Sequence, residues 1–297
     1  MNKKIIIIFI IGMFLISSFN VFAINIKNNK NSDKDQINKG ANNNELKYNM
    51  GLILDNNVIE PTLNYDDSIN PPKSWDWRDA EYNGVRGDWT TSIKNQGGCE
   101  SCYAFGQIAL IESAYNIANS NPNLDNDLSE QYIVSCGELY SDSIYGCDAG
   151  NPEEAMKFTK KFGAILEENF LYEAKEVNCG DKESGWKDFK VNVRGFGSIG
   201  SNKNKVKNAL IQYGPIQSGM YVYEDFFDYP DSSQWNNDIY YHKYGKGLGY
   251  HSVTIVGYHD STDERQGYWI CKNSWGEGWG INNPYDPNNN GGWFKIA

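Results

Sequence analysis

Near the end of its first third the chain reads Asn95-Gln96-Gly97-Gly98-Cys99-Glu100-Ser101-Cys102-Tyr103-Ala104-Phe105. Two cysteines stand three positions apart, behind a glycine pair and ahead of an apolar run. Four chemistries use such a pair: a metal clip, a redox dithiol, halves of two disulfides, or a nucleophile with a neighbour. The other cysteines, Cys136, Cys147, Cys179 and Cys271, are scattered, and no histidine lies close to any of them in sequence. A structural zinc site uses four ligands, usually as two close pairs, so the spacing argues against a metal. A thioredoxin-like pair follows a strand in a compact βαβ unit, and no clear strand leads into Asn95. Disulfide and nucleophile remain open at this point.

Length and charge narrow the function class. The 297 residues are enough for one or two domains with a sizeable core. A net charge of −11 repels phosphate backbones, so nucleic acid is not an expected partner. The N-terminus carries Lys3 and Lys4, an apolar run over 5–16, a polar break at 17–20, and Val21-Phe22-Ala23. This pattern predicts a signal peptide over residues 1–23, cleaved on export. No later segment is long and apolar enough to span a bilayer. A secreted or otherwise extracytoplasmic monomer without a stable membrane anchor is expected, in a lysosome-like compartment if the source is eukaryotic. Outside the cytosol, disulfides form and persist.

Residues 24–48 are rich in Asn, Lys and Asp and read as a flexible leader. Residues 49–71 are more apolar and end at Asn70-Pro71-Pro72, a boundary because proline restricts itself and its predecessor. The leader is thus read as 24–71 and the body as 72–297. Apolar residues at Ala104, Phe105, Ile108, Ile111, Ala114 and Tyr115 predict a helix from about 101. A second helix is expected over 128–136, opened by Ser129. A third has Asn151 as N-cap, Pro152 and two glutamates in its first turn, Lys160 and Lys161 in its last, and a stop at Gly163. Short β-rich runs follow at 191–193, 216–223, 251–258, 267–273 and 292–296, interrupted by one helix over 203–213. The expected fold is α+β: a helical lobe in front, a β-barrel-like lobe behind, and a cleft between them.

Cys102 at the start of the first helix would feel the positive helix end, which favours thiolate. A thiolate nucleophile also needs a proton acceptor that later acts as an acid. Of the three histidines, His251 is the best placed, because it opens the run His251-Ser252-Val253-Thr254-Ile255-Val256-Gly257-Tyr258 and so stands at a strand end.

The opening stretch resembles the nucleophile motif of the papain/cathepsin cysteine peptidases. Further matches follow in order: Asp76-Trp77-Arg78, Leu128-Ser129-Glu130-Gln131, Gly146-Cys147-Asp148-Ala149-Gly150, Gly214-Pro215-Ile216, His251-Ser252-Val253 and Lys272-Asn273-Ser274-Trp275-Gly276. The resemblance covers about residues 72–297. It implies Cys102 as nucleophile, His251 as its partner in a resting thiolate–imidazolium pair, and Asn273 orienting the imidazole. The Gln96 side chain with the Cys102 backbone N–H would form the oxyanion hole. Trp275 would cover the Asn273–His251 contact. Gly150, Pro152, Gly219, Tyr250 and Glu100 are placed along the substrate cleft. The implied disulfides are Cys99–Cys147 and Cys136–Cys179, leaving Cys271 as a small buried residue. Peptide or protein substrates and no metal or organic cofactor are implied.

Several positions depart from the pattern. Tyr103 replaces a tryptophan, Ala149 the first glycine of a pair, and Glu100 a glycine between the cysteines. Tyr250 is bulky and expected to narrow the cleft, and Gly219 to deepen a pocket. The leader is short for a long helical inhibitory prosegment. Asp286-x-Asn288-x-Asn290-Gly291 matches half of an EF-hand loop but lacks its glutamate, so a solvated loop is expected rather than calcium. The end at Ala297 reads as a truncation with a strand missing. The competing readings are a non-catalytic binding or adhesion protein on the same fold, and an exopeptidase or transpeptidase using the same acyl-enzyme.

Overall fold

The computed structural model describes residues 19–24, 50–53, 69–229, 235, 238–262, 266–286 and 291–297. Among the described residues there are four α-helices: α1 (Cys102–Ala118), α2 (Glu130–Gly137), α3 (Pro152–Phe162) and α4 (Lys203–Tyr213). The caps read from sequence act as caps. The Ser129 hydroxyl accepts the Tyr132 N–H, and the Asn151 side chain accepts the N–H groups of Glu153 and Glu154. Helix α1 is buried on nearly every face. Its polar residues are therefore tied off inside: Gln107 Nε2 donates to the Ala155 carbonyl at 3.0 Å and Asn116 Nδ2 to that of Leu124 at 2.8 Å.

The described residues also form ten strands: β1 (Phe19–Ile24), β2 (Ser74–Asp76), β3 (Ala80–Tyr82), β4 (Val85–Gly87), β5 (Val193–Ser198), β6 (Ile216–Tyr223), β7 (Ile239–Tyr240), β8 (Gly247–His259), β9 (Tyr268–Lys272) and β10 (Trp293–Ile296). The main sheet runs β5-β1-β6-β8-β9-β10-β7, with β2 also paired to β8; β3 and β4 form a separate hairpin. Two cores result. One gathers α1, α2, α3 and the start of β5; the other lies against the sheet around Trp77, Phe226, Tyr258 and Phe294. The α+β, two-lobed expectation holds.

Two findings differ from the sequence reading. Residues 1–18 of the expected signal peptide lie outside the described residues, but its last residues are taken up as β1, parallel to both β5 and β6. The backbone edges of β5 and β6 face one another across a gap one strand wide, and an extended segment satisfies both. Second, His251 is not at a strand end. Gly247–Tyr250 continue the ladder opposite Tyr221–Tyr223, so β8 has 13 residues and His251 pairs with Met220 within it.

Candidate functional site

The site forms where the start of α1 meets the middle of β8. Cys102, the first residue of α1, is fully buried, and its Sγ accepts the Ser252 N–H at 3.3 Å. The neighbour of Ser252 is His251. Its Nε2–H donates to Asn273 Oδ1 at 2.7 Å, and the Ser274 N–H donates to the same oxygen at 2.9 Å. Two donors on one atom fix the amide orientation of Asn273. They also fix the neutral imidazole tautomer, with the proton on Nε2 and a bare lone pair on Nδ1. Nδ1 is buried and has no hydrogen-bond partner among the described residues. The Trp275 ring lies 4.8 Å from the His251 ring, at 31°.

Gln96 is pinned at both ends. Its Oε1 accepts the Ser274 hydroxyl at 2.7 Å, and its Nε2 donates to the Cys99 carbonyl at 2.9 Å. Its main chain is held as well: the Gln96 N–H reaches the Ser274 carbonyl, and Tyr172 Oη donates to the Gln96 carbonyl at 2.8 Å. The Cys99–Cys147 disulfide ties this loop to the one before α3, and Cys136–Cys179 ties α2 to the segment after α3. Cys102 and Cys271 are the free cysteines, both buried.

Below the site, charged side chains cluster, with Glu112 and Glu130 buried. Lys94 Nζ contacts Glu112 at 2.9 Å, Asp127 at 2.7 Å and Glu130 at 3.0 Å. Lys272 Nζ donates to Thr91 Oγ1 at 2.9 Å, and that hydroxyl donates to Glu112 Oε2. Lys94 precedes Asn95-Gln96 and Lys272 precedes Asn273, so the network anchors both segments of the site. Burial pushes the Glu130 carboxyl up, while the surrounding carboxylates hold the proton on Lys94.

The cleft is occupied by the chain itself. Met50–Ile53 cross between the lobes: the Leu52 N–H donates to the Tyr250 carbonyl at 3.3 Å, and the Ile53 N–H to that of Gly150 at 3.0 Å. In return, the Gly150 N–H donates to the Gly51 carbonyl at 2.8 Å. Leu52 pairs with Gly150 in parallel register and is buried in the first core. The Gly51 N–H points at Cys102 Sγ. The thiol therefore faces an amide hydrogen of Gly51, whose own carbonyl is taken up by the Gly150 N–H.

This occupancy bears on the charge state of the two residues. Burial pushes the Cys102 thiol up to about 12, against the pull of the Ser252 and Gly51 N–H groups. Burial likewise drives the His251 imidazole down to about 4, with the Asn273 bond opposing. In the closed cleft, desolvation thus works against both the thiolate and the imidazolium, while the helix end and the Asn273 bond work for them.

The remaining expected residues fall as follows. Gly150 lines the cleft, Pro152 is the first residue of α3, and Gly219 lies opposite Ser252. The Tyr250 carbonyl faces the leader, and its exposed ring packs edge-on to Tyr221 at 4.9 Å. Glu100 sits beneath Gly51, and its carboxyl is pushed up to about 7 by burial and then by the charge of Asp148. Residues 287–290 of the EF-hand-like stretch lie outside the described residues. The sequence reading missed Gly51 and Leu52, as well as Ser274 and Tyr172, which hold Gln96. A Met-Gly-Leu-Ile run inside an Asn-rich leader is the one signal that marks the occupying segment.

Comparison with known proteins places residues 71–287 on the family model described as papain family cysteine protease. Procathepsin L of Mus musculus is 32% identical over 232 residues, 76% of this chain and 60% of the relative. A cysteine protease of Blomia tropicalis is 30% identical over 226 residues, 74% of this chain and 62% of the relative. The chain thus spans about three fifths of the length of these curated relatives. A solved structure of the digestive procathepsin L2 proteinase from the Tenebrio molitor larval midgut superposes with a TM-score of 0.60 at 28% identity, covering 84% of this chain and 73% of that one.

Proposed function

From the premise that the chain belongs to the papain family of cysteine proteases, we propose that it is a secreted cysteine endopeptidase held closed by its own leader. The observation that carries the reading is the His251 Nε2–H bond to Asn273 Oδ1, beside a Cys102 Sγ seated on the Ser252 N–H. A bare, buried Nδ1 on the residue preceding the one whose N–H holds the thiol is a general base in waiting.

Removal of Met50–Ile53 opens the cleft to water and substrate. The Cys102 proton passes to His251 Nδ1, and Asn273 holds the imidazolium that results. Sγ attacks the substrate carbonyl carbon, and the charge that develops on oxygen is met by the Cys102 backbone N–H and the Gln96 amide. The C–N bond breaks as His251 returns its proton to the leaving amine. Water, deprotonated by the same imidazole, then cleaves the thioester and releases the acid. Every step uses groups of the chain itself. The apolar N-terminal run and the two disulfides support an exported protein.

The test is hydrolysis of a peptide library by the acid-activated chain, with and without a thiol-reactive inhibitor, beside Cys102→Ala. Turnover that is inhibited and is lost in Cys102→Ala is expected. Substantial turnover in Cys102→Ala would overturn the mechanism. A stable folded protein that cleaves nothing would favour the non-catalytic reading.

A further inference from the structure

Glu100 stands where the site's own pattern has a glycine, two residues before the thiol. The residues around it are firmly placed. The Cys99–Cys147 disulfide joins the two loops, and the Glu100 N–H donates to the Cys147 carbonyl at 2.9 Å, so 99–100 and 147–148 run side by side. Asp148 thereby comes close enough to act electrostatically on the Glu100 carboxyl. Among the described residues, neither carboxylate has a cation in ion-pair contact.

The occupied cleft shows what lies over Glu100. Gly51, the leader residue whose N–H meets Cys102 Sγ, rests directly on it: a Cβ at Gly51 would overlap the Glu100 carbonyl and come within 2.5 Å of its Cβ. A peptide being cut must place its reacting carbonyl carbon at Sγ, so the residue owning that carbonyl takes the place of Gly51. We propose that Glu100, assisted by Asp148, selects substrates with Lys or Arg as the residue that donates the attacked carbonyl. A long basic stem extends past the Glu100 main chain and sets its charge against two carboxylates that otherwise lack a cation. Short apolar residues leave the carboxylates unpaired, and acidic residues are repelled.

The inference rests on the peptidase reading and deepens it by naming a substrate class. A partly exposed pair contributes up to about 1 kcal/mol, which is about fivefold in kcat/KM. The experiment compares three peptides differing only in Arg, Gln or Glu at that residue, cleaved by the acid-activated full chain and assayed at about pH 8, above the raised value of Glu100. The expected wild-type order is Arg over Gln over Glu, with an Arg-to-Gln ratio of about five that shrinks as ionic strength rises from about 0.02 to about 0.5 M. Glu100→Gln should bring the ratio towards one, and Glu100→Lys should invert the order. Asp148→Asn, at an exposed position that does not endanger folding, should lower the ratio in part. A wild-type ratio near one, or a ratio unchanged in Glu100→Gln and insensitive to salt, overturns the inference and leaves the peptidase reading standing. Failure of the wild type to cut any of the three overturns the peptidase reading itself.

Discussion

Replacing Gly51 by alanine should expose Cys102 without touching the body of the protein. The added methyl would fall inside the Glu100 carbonyl and 2.5 Å from Glu100 Cβ. A carbonyl in a disulfide-held loop cannot rotate away as a side-chain tip can. The leader must lift instead, losing the bonds of Gly51 and Leu52 to Gly150 and Tyr250. Overpacking of this kind costs about 1–3 kcal/mol, so the open fraction should rise about 5- to 150-fold. The assay is alkylation of Cys102 by iodoacetamide in the unprocessed chain at neutral pH, located by peptide mass so that buried Cys271 serves as an internal reference. Leu52→Ala provides a second route to the same end. It removes a side chain only 8% exposed from a rim that can partly relax, which costs about 2 kcal/mol or about 30-fold in opening. The two variants should both accelerate labelling at unchanged melting temperature. Labelling of both at the wild-type rate would show that the leader does not cover the thiol, and the autoinhibition argument would fail.

Acid should loosen the same closure. His251 is a base whose buried value, about 4, lies below its ordinary 6.5; its contribution is complete above about pH 6.5 and is lost as pH falls towards 4, by up to about 3 kcal/mol. Glu100, raised to about 7, acts in the opposite sense and more weakly because it is partly exposed. Hydrogen exchange at Met50–Ile53, corrected for intrinsic rates, should therefore quicken between pH 6.5 and 4.5, and pH-independent opening would refute the sign. Asn273→Ala should lower kcat far more than it raises KM, since the imidazole is aimed in the transition state; a change in KM alone would reassign Asn273 to substrate contact. Glu112→Ala leaves Lys94 and Thr91 without their buried partner and should cost about 3–5 kcal/mol of stability; a melting temperature near wild type would mean the network is dispensable.

What could be read in the sequence had local chemistry behind it. The caps at Ser129 and Asn151 and the helix Lys203–Tyr213 were visible because each rests on residues adjacent in the chain. Strands β2, β3 and β4 have three residues each, too short for an alternation to show, although Asn83-Gly84 between β3 and β4 is a hairpin signal. His251 seemed to open a strand because Gly247-Leu248-Gly249-Tyr250 reads as a turn; pairing with Tyr221–Tyr223 overrides that local preference. The catalytic candidates were legible as a motif, but their charge state was not. Whether Cys102 is thiol or thiolate depends on what covers it, and Gly51 lies fifty-one residues upstream. The closeness of Glu100 to Asp148 likewise exists only once Cys99 and Cys147 are joined.

The way the leader lies in the cleft has a kinetic consequence. With the Gly51 carbonyl bound to Gly150 and an N–H at the sulfur, the described leader residues of a closed molecule turn no carbonyl towards its own nucleophile. Conversion then depends on a second, already open copy reaching the leader of the first. The order of the reaction in protein becomes two rather than one. Progress curves should be sigmoidal, the lag should shorten in proportion as the starting concentration rises, and a trace of converted enzyme added at time zero should abolish it.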